Sequence, residues 1–211
     1  MSRWTDKADA YVAAYGLAPS FHHVCLALAV AEHETLCGDA WPGEHNWGAT
    51  TVRGLNSDER AKLSAAGVYA SASPASEAHA RAILGSPPGL ALHRDYAASI
   101  GWYFTWFARY PDDVGGARYF QHLLLRGDVP AVMADENAGP RELAAAMYKI
   151  HYFLGVHPHD GGAGDAANVN DYASALARLV GPIGEALRDW TIPGAGADPT
   201  LVEPLMPDPS T

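Results

Sequence analysis

Residues 21–35 read FHHVCLALAVAEHET, and no other stretch of the chain restricts its fold so strongly. Wound at 3.6 residues per turn, the segment is apolar on nearly every side. A helix of that kind has to be enclosed by other elements and cannot lie on a surface. It is too short to cross a bilayer, which takes roughly 18 to 20 apolar residues, and no apolar run elsewhere in the chain comes close to that length. The segment therefore predicts a helix buried inside a soluble domain. Ser20 is placed to cap it. A first amphipathic helix through Trp4, Ala8, Tyr11, Val12 and Tyr15 stops before it, at Gly16 with Pro19 behind.

At 211 residues the chain suits one domain with a real core. Composition changes after Trp190, where TIPGAGADPTLVEPLMPDPST is dense in Pro, Gly and Asp, so the division expected is a domain over 1–190 and a tail over 191–211. Residues 49–95 lose helical periodicity and hold β-prone pieces at Thr50 to Val52, Val68-Tyr69 and Leu90 to Leu92, which reads as a small irregular lobe. Helical patterns return at 96–109, 116–125, 140–154 and 168–190, with Pro182 expected to kink or divide the last. The fold class expected is α+β, mainly α: a helical body around a buried central helix, with a small irregular β lobe.

A net charge of −10, with 14 scattered Lys and Arg, argues against nucleic-acid binding and against passive adhesion to anionic surfaces. Cys25 and Cys37 on one continuous helix would stand about 18 Å apart, beyond the roughly 7 Å reach of a disulfide, so both are expected to be unpaired core residues. The first residues, MSRWTDKADAYVAAYG, lack a continuous apolar core and cleavage site, so no secretory signal is read and delivery by another system is expected. His33-Glu34 begins like a zinc-protease motif, but Cys37 stands where the second histidine belongs, and the His157-Pro158-His159-Asp160 run reads as a solvated turn. No metal or other cofactor is expected.

Chemistry begins at the end of the buried helix. Ala27, Val30 and Ala31 precede Glu34 at spacings of seven, four and three, so Glu34 projects from an apolar stripe. Partial desolvation there favours the protonated carboxyl that a general acid requires. Glu32 is the rival, with Cys25, Leu28 and Ala29 at similar offsets. The string from Ala29 to Thr51, AVAEHETLCGDAWPGEHNWGATT, bears on the choice. Glu34-Thr35, Gly38 and Asn46-Trp47-Gly48 resemble, in order and spacing, the motif of family 73 glucosaminidases and the related muramidase domain of flagellar rod assembly proteins. In these a helix ends in a glutamate followed by Ser or Thr, Gly, and then an Asn-aromatic-Gly segment. The resemblance implies a lysozyme-like fold and puts Glu34 at the family's general acid.

A second, looser likeness runs through Leu143 to Tyr148, Tyr152 and Asp171-Tyr172-Ala173, with His151 where the family has glycine and Phe153-Leu154-Gly155 where it has Ala-Thr-Asp. It implies Tyr152 as an active-site residue. Asp39, Glu44, Asp58, Glu59, Glu77 and Asp95 could each supply a second carboxylate, Asp95 being preferred, and a substrate acetamido group could act instead. Asp95 can equally be read as the N-cap of a helix from Tyr96. Asn46, Trp47 and Tyr96 are the candidate sugar-binding residues, whereas Trp102, Tyr103 and Trp106, at helical spacings, read mainly as core.

The implied activity is hydrolysis of the β-1,4 bond between N-acetylglucosamine and N-acetylmuramic acid in peptidoglycan, in the setting of a phage tail or injection particle. The Gly-Leu-Met-Gln type segment of lytic transglycosylases is absent, which favours attack by water. An inactive lysozyme-like module and a metal-dependent hydrolase are the alternatives.

Overall fold

The computed structural model describes residues 2–15, 19–40, 45–69, 74–85, 87–97, 101–153, 155, 157 and 159–193. From position 194 onward the expected tail lies outside the described residues, as does Glu44. Among the described residues the chain is a mixed α and β protein with eight helices and one three-stranded antiparallel sheet. In chain order these are α1 (Arg3–Tyr15), α2 (Phe21–Thr35), β1 (Thr51–Gly54), α3 (Ser57–Ala65), α4 (Pro74–Leu84), β2 (Leu90–Ala97), β3 (Gly101–Ala108), α5 (Asp113–Leu124), α6 (Val129–Ala134), α7 (Pro140–Lys149) and α8 (Ala163–Ala186). The chain divides into two compact units, 1–28 with 126–211, and 29–125. None of the described helices is long and apolar enough to cross a membrane.

The helix α2 begins in the first unit, where Ser20 caps it as its sequence predicts, the hydroxyl accepting the His23 amide at 3.1 Å. Val24 to Ala31 are all buried, as a helix apolar on every side must be. Cys25 and Cys37 are free and buried. Tyr11 on α1 meets His23 on α2, hydroxyl to Nε2 at 2.8 Å. Burial pushes the Tyr11 hydroxyl up and the His23 imidazole down to about 4, so a protonated phenol donates to a neutral ring nitrogen. α7 packs on α8 and α6 on α7, and the Trp190 indole donates to Asp9 at 2.8 Å. Pro182 does not divide α8, which runs through it to Ala186.

The second unit holds the sheet, ordered β1-β3-β2. Leu92, Phe104 and Trp106 form one core with Leu55, Leu63, Val68 and Ala80, under α3 and α4. Within the region expected to be helical, 96–109, residues 96–97 end β2 and residues 101–108 form β3. Tyr96 pairs with Trp102, Asp95 with Tyr103 and Leu92 with Trp106. Tyr, Trp, Phe and Thr fit a pleated surface, and the ladder to β2 outweighs a spacing that would also suit a helix. Val68-Tyr69 follows α3 as a turn rather than a strand. Both helices of the supposedly irregular lobe carry ordinary start signals. Asn56 and Glu59 form a reciprocal capping box on α3, and Pro74 opens α4.

The His23 pair predicts a pH dependence with a definite sign. A folded-state value of about 4, against about 6.5 in the unfolded chain, means that the unfolded chain binds the proton more readily. The contribution is complete above pH 6.5 and is lost as the pH falls towards 4, by about 2–3 kcal/mol. Urea unfolding of wild type and His23→Gln at pH 7 and pH 4 should show their stability difference shifting by that amount in favour of the variant. Parallel pH profiles would contradict the assignment.

Candidate functional site

Glu34 occupies the last turn of α2, partly exposed, while Glu32 is buried at 9% exposure. Thr35 ends the helix, and its hydroxyl organises the turn beyond. It donates to the Trp47 carbonyl at 3.0 Å and accepts the Gly38 amide at 2.8 Å. Leu36, Cys37 and Gly38 all take positive φ, at 50°, 53° and 81°, a run that turns the chain sharply away from the helix axis. The Cys37 amide still reaches back to the Ala31 carbonyl at 3.0 Å. Gly38 has no room for a side chain, because a Cβ there would lie 2.8 Å from the His45 backbone and 3.0 Å from the Trp47 ring.

The rest of the motif locks into the same framework. The Asn46 side chain donates to the carbonyls of Thr50 and Ala108, both at 3.1 Å, and accepts the Thr50 amide at 2.8 Å. It thereby ties the loop to the end of β3. Trp47 is fully buried beside Phe120, with its indole nitrogen 3.2 Å from the Asp113 carboxylate at the start of α5. His45 meets the same carboxylate oxygen at 2.9 Å. At Gly116 a Cβ would fall 1.8 Å from the His45 carbonyl oxygen, so α5 approaches the loop as only glycine allows.

This placement corrects two expected sugar contacts. Asn46 and Trp47 are both 0% exposed and hold the loop behind Glu34, so neither offers a face to a ligand. Asp95 is a strand residue rather than a helix cap. Its carboxylate accepts the Tyr103 hydroxyl at 2.9 Å and the Tyr96 amide at 2.8 Å. The Tyr103 hydroxyl is pushed up to about 12, first by burial and then by that carboxylate. Since side chains alternate along a strand, the Asp95 and Tyr96 side chains leave the sheet on opposite faces. Tyr96 is 57% exposed.

The remaining carboxylates differ in their ties. Glu59 is held by Arg53 through bonds of 2.7 and 2.8 Å, which lower its carboxyl to about 2; Glu77 ties α4 to β2 by accepting the Arg94 amide and, within α4, pairs with Arg81, whose Nε donates to the Leu92 carbonyl. Asp39 and Asp58 are exposed.

Glu34 and Asp95 belong to the unit 29–125, and Tyr152 to the other. Tyr152 follows α7, its amide bonded to the Met147 carbonyl at 3.0 Å. His151, just before it, adopts a φ of +55°. The loop after it is pinned to α8. Asp160 accepts the amides of Gly162 and Gly164, Asn168 exchanges two bonds with the His157 backbone, and His157 meets Asp171 at 3.0 Å. Among the described residues no three His, Cys, Asp or Glu side chains converge as metal ligands. No protein-family model matches the chain, and no curated protein or solved structure does either.

Substitutions at two positions test these local arrangements. Thr35→Val keeps the shape but strands the Gly38 amide and the Trp47 carbonyl, at a cost of about 2–4 kcal/mol, while Thr35→Ser should lose under half of that. A larger loss in Thr35→Ser than in Thr35→Val, read from denaturant midpoints, would show that the methyl group and not the hydroxyl matters. His151→Gly removes a left-handed non-glycine residue and should stabilise by about 0.5–1 kcal/mol net of glycine's backbone entropy. A lower melting temperature would mean that the imidazole contributes more than its backbone costs.

Proposed function

We propose that the protein is a glycoside hydrolase acting on the glycan strand of peptidoglycan, with Glu34 as general acid on a lysozyme-like scaffold. The observation that carries the reading is the contrast between the two glutamates of α2. A proton donor has to reach the leaving oxygen, and Glu34 is partly exposed where Glu32 is buried. The likeness to the glucosaminidase motif gains support from local geometry. Gly38 sits where only glycine fits, and His151, at the position where the family has glycine, takes the left-handed backbone that glycine favours.

In this reading Glu34 donates its proton to the glycosidic oxygen as positive charge develops on the sugar. The substrate's acetamido group offers the internal partner for that charge, which leaves Asp95, tied to Tyr103, outside the bond-breaking step. The clasp of Thr35, Asn46 and Trp47 serves by fixing the chain that leaves the acid.

Glu34→Gln should keep the fold and lower wall hydrolysis by about 100- to 10,000-fold, whereas Glu32→Gln should leave the rate within a few-fold. A dead Glu32 variant beside an active Glu34 variant would overturn the assignment. Borohydride labelling and mass spectrometry of the digest should find reducible N-acetylglucosamine ends. Reducible N-acetylmuramic acid ends would shift the cut by one sugar, and anhydro ends would refute hydrolysis by water.

A further inference from the structure

The face of the sheet that carries Leu92, Phe104 and Trp106 into the core does not end where the core ends. Cross-strand partners share a face, so the series continues through Arg94 opposite Phe104 to Tyr96 opposite Trp102. The last pair leaves the core: Tyr96 is 57% and Trp102 53% exposed. Their rings meet edge to face, with centroids 5.4 Å apart and planes at 61°, which forms an open angle. Arg94 lies with its guanidinium 4.3 Å from the Trp102 ring centroid. Glu77 holds it there, accepting the Arg94 amide at 3.1 Å with the Arg94 Nε 4.0 Å away. Together Arg94, Asp95, Tyr96 and Trp102 line a cleft of about 230 Å³.

We infer that this cleft binds one neutral saccharide ring of the N-acetylhexosamine type. The inference rests on the glycosidase reading for its choice of sugar and on the cleft for the rest. A pyranose has a C–H face, faintly positive, which suits the negative face of an aromatic ring, and a rim of hydroxyls that needs hydrogen-bond partners. Tyr96 and Trp102 supply the first requirement. The Tyr96 hydroxyl and the edge of the Arg94 guanidinium supply the second. Charge favours a neutral occupant, since Glu77 offsets Arg94 locally and the chain as a whole carries −10.

The cleft is also distinct from the Glu34 framework. Asn46 anchors β3 at Ala108, and Trp102 stands six residues away along that strand, about 20 Å. The clamp is therefore a holding subsite on the glycan and supplies no reacting group.

The test titrates the tetramer of β-1,4-linked N-acetylglucosamine into the Glu34→Gln protein, followed by tryptophan fluorescence and calorimetry. Trp102→Ala and Tyr96→Ala should each weaken binding about ten-fold or more, Tyr96→Phe by less, and Tyr119→Ala, at an exposed ring elsewhere, not at all. Because both rings are more than half exposed, thermal melts should barely move. Unchanged affinity in both alanine variants, or no binding by the parent protein, overturns the clamp. If the wild-type protein cuts walls while Trp102→Ala keeps its KM, the clamp falls and Glu34 stands. If the tetramer binds through the two rings and walls are never cut, the hydrolase reading falls and the clamp stands.

Discussion

The hydroxyl of Thr35 stands between two backbone groups that no regular element satisfies, the Gly38 amide and the Trp47 carbonyl. Both lie in the segment where the chain leaves α2, and buried backbone groups cannot go unmet at low cost. By bridging them, one side chain joins the end of the buried helix to a loop a dozen residues on. That loop then fixes the start of α5 through Trp47 and Asp113, and the end of β3 through Asn46 and Ala108. Three consecutive left-handed residues are tolerated beside Glu34 because these bonds over-determine the turn.

This arrangement gives the motif residues a division of labour. Thr35, Gly38, Asn46 and Trp47 are buried and hold the turn, and Glu34 alone of the set combines partial exposure with a titratable group. A buried tryptophan with its indole on a carboxylate behaves as a strut. Exposed aromatic rings of the same unit stand elsewhere, among them Tyr96 and Trp102 on the sheet, where the face of β2 and β3 continues beyond the core. Position along a strand thus separates core rings such as Trp106 from solvent-facing ones such as Trp102.

In the other unit, the loop between α7 and α8 is a second case of polar side chains standing in for regular structure. Asp160 and Asp165 accept amides just before and at the start of α8, Asn168 accepts the His157 amide, and the His157 ring pairs with Asp171. His159 joins this set through Asp165 at 3.4 Å. The left-handed His151 sits at the exit of α7, where the chain turns before Tyr152.

Sequence by itself determined α1 and α2 nearly to the residue, the burial of α2 and the free cysteines. Apolar periodicity and caps are local, and they act over a few turns of chain. The capping box at Asn56 and the proline at Pro74 were equally legible as starts of α3 and α4, but the Gly, Ser and Pro around them read as loop. Only tertiary structure decided that residues 101–108 form a strand, because aromatic spacings of three and four suit a helix until β2 is there to pair with. It also decided that Trp47 is buried while Trp102 is exposed, and that Asp95 and Tyr96 face apart. Burial and sheet pairing depend on what packs against a residue from distant parts of the chain, and a local pattern contains no record of that.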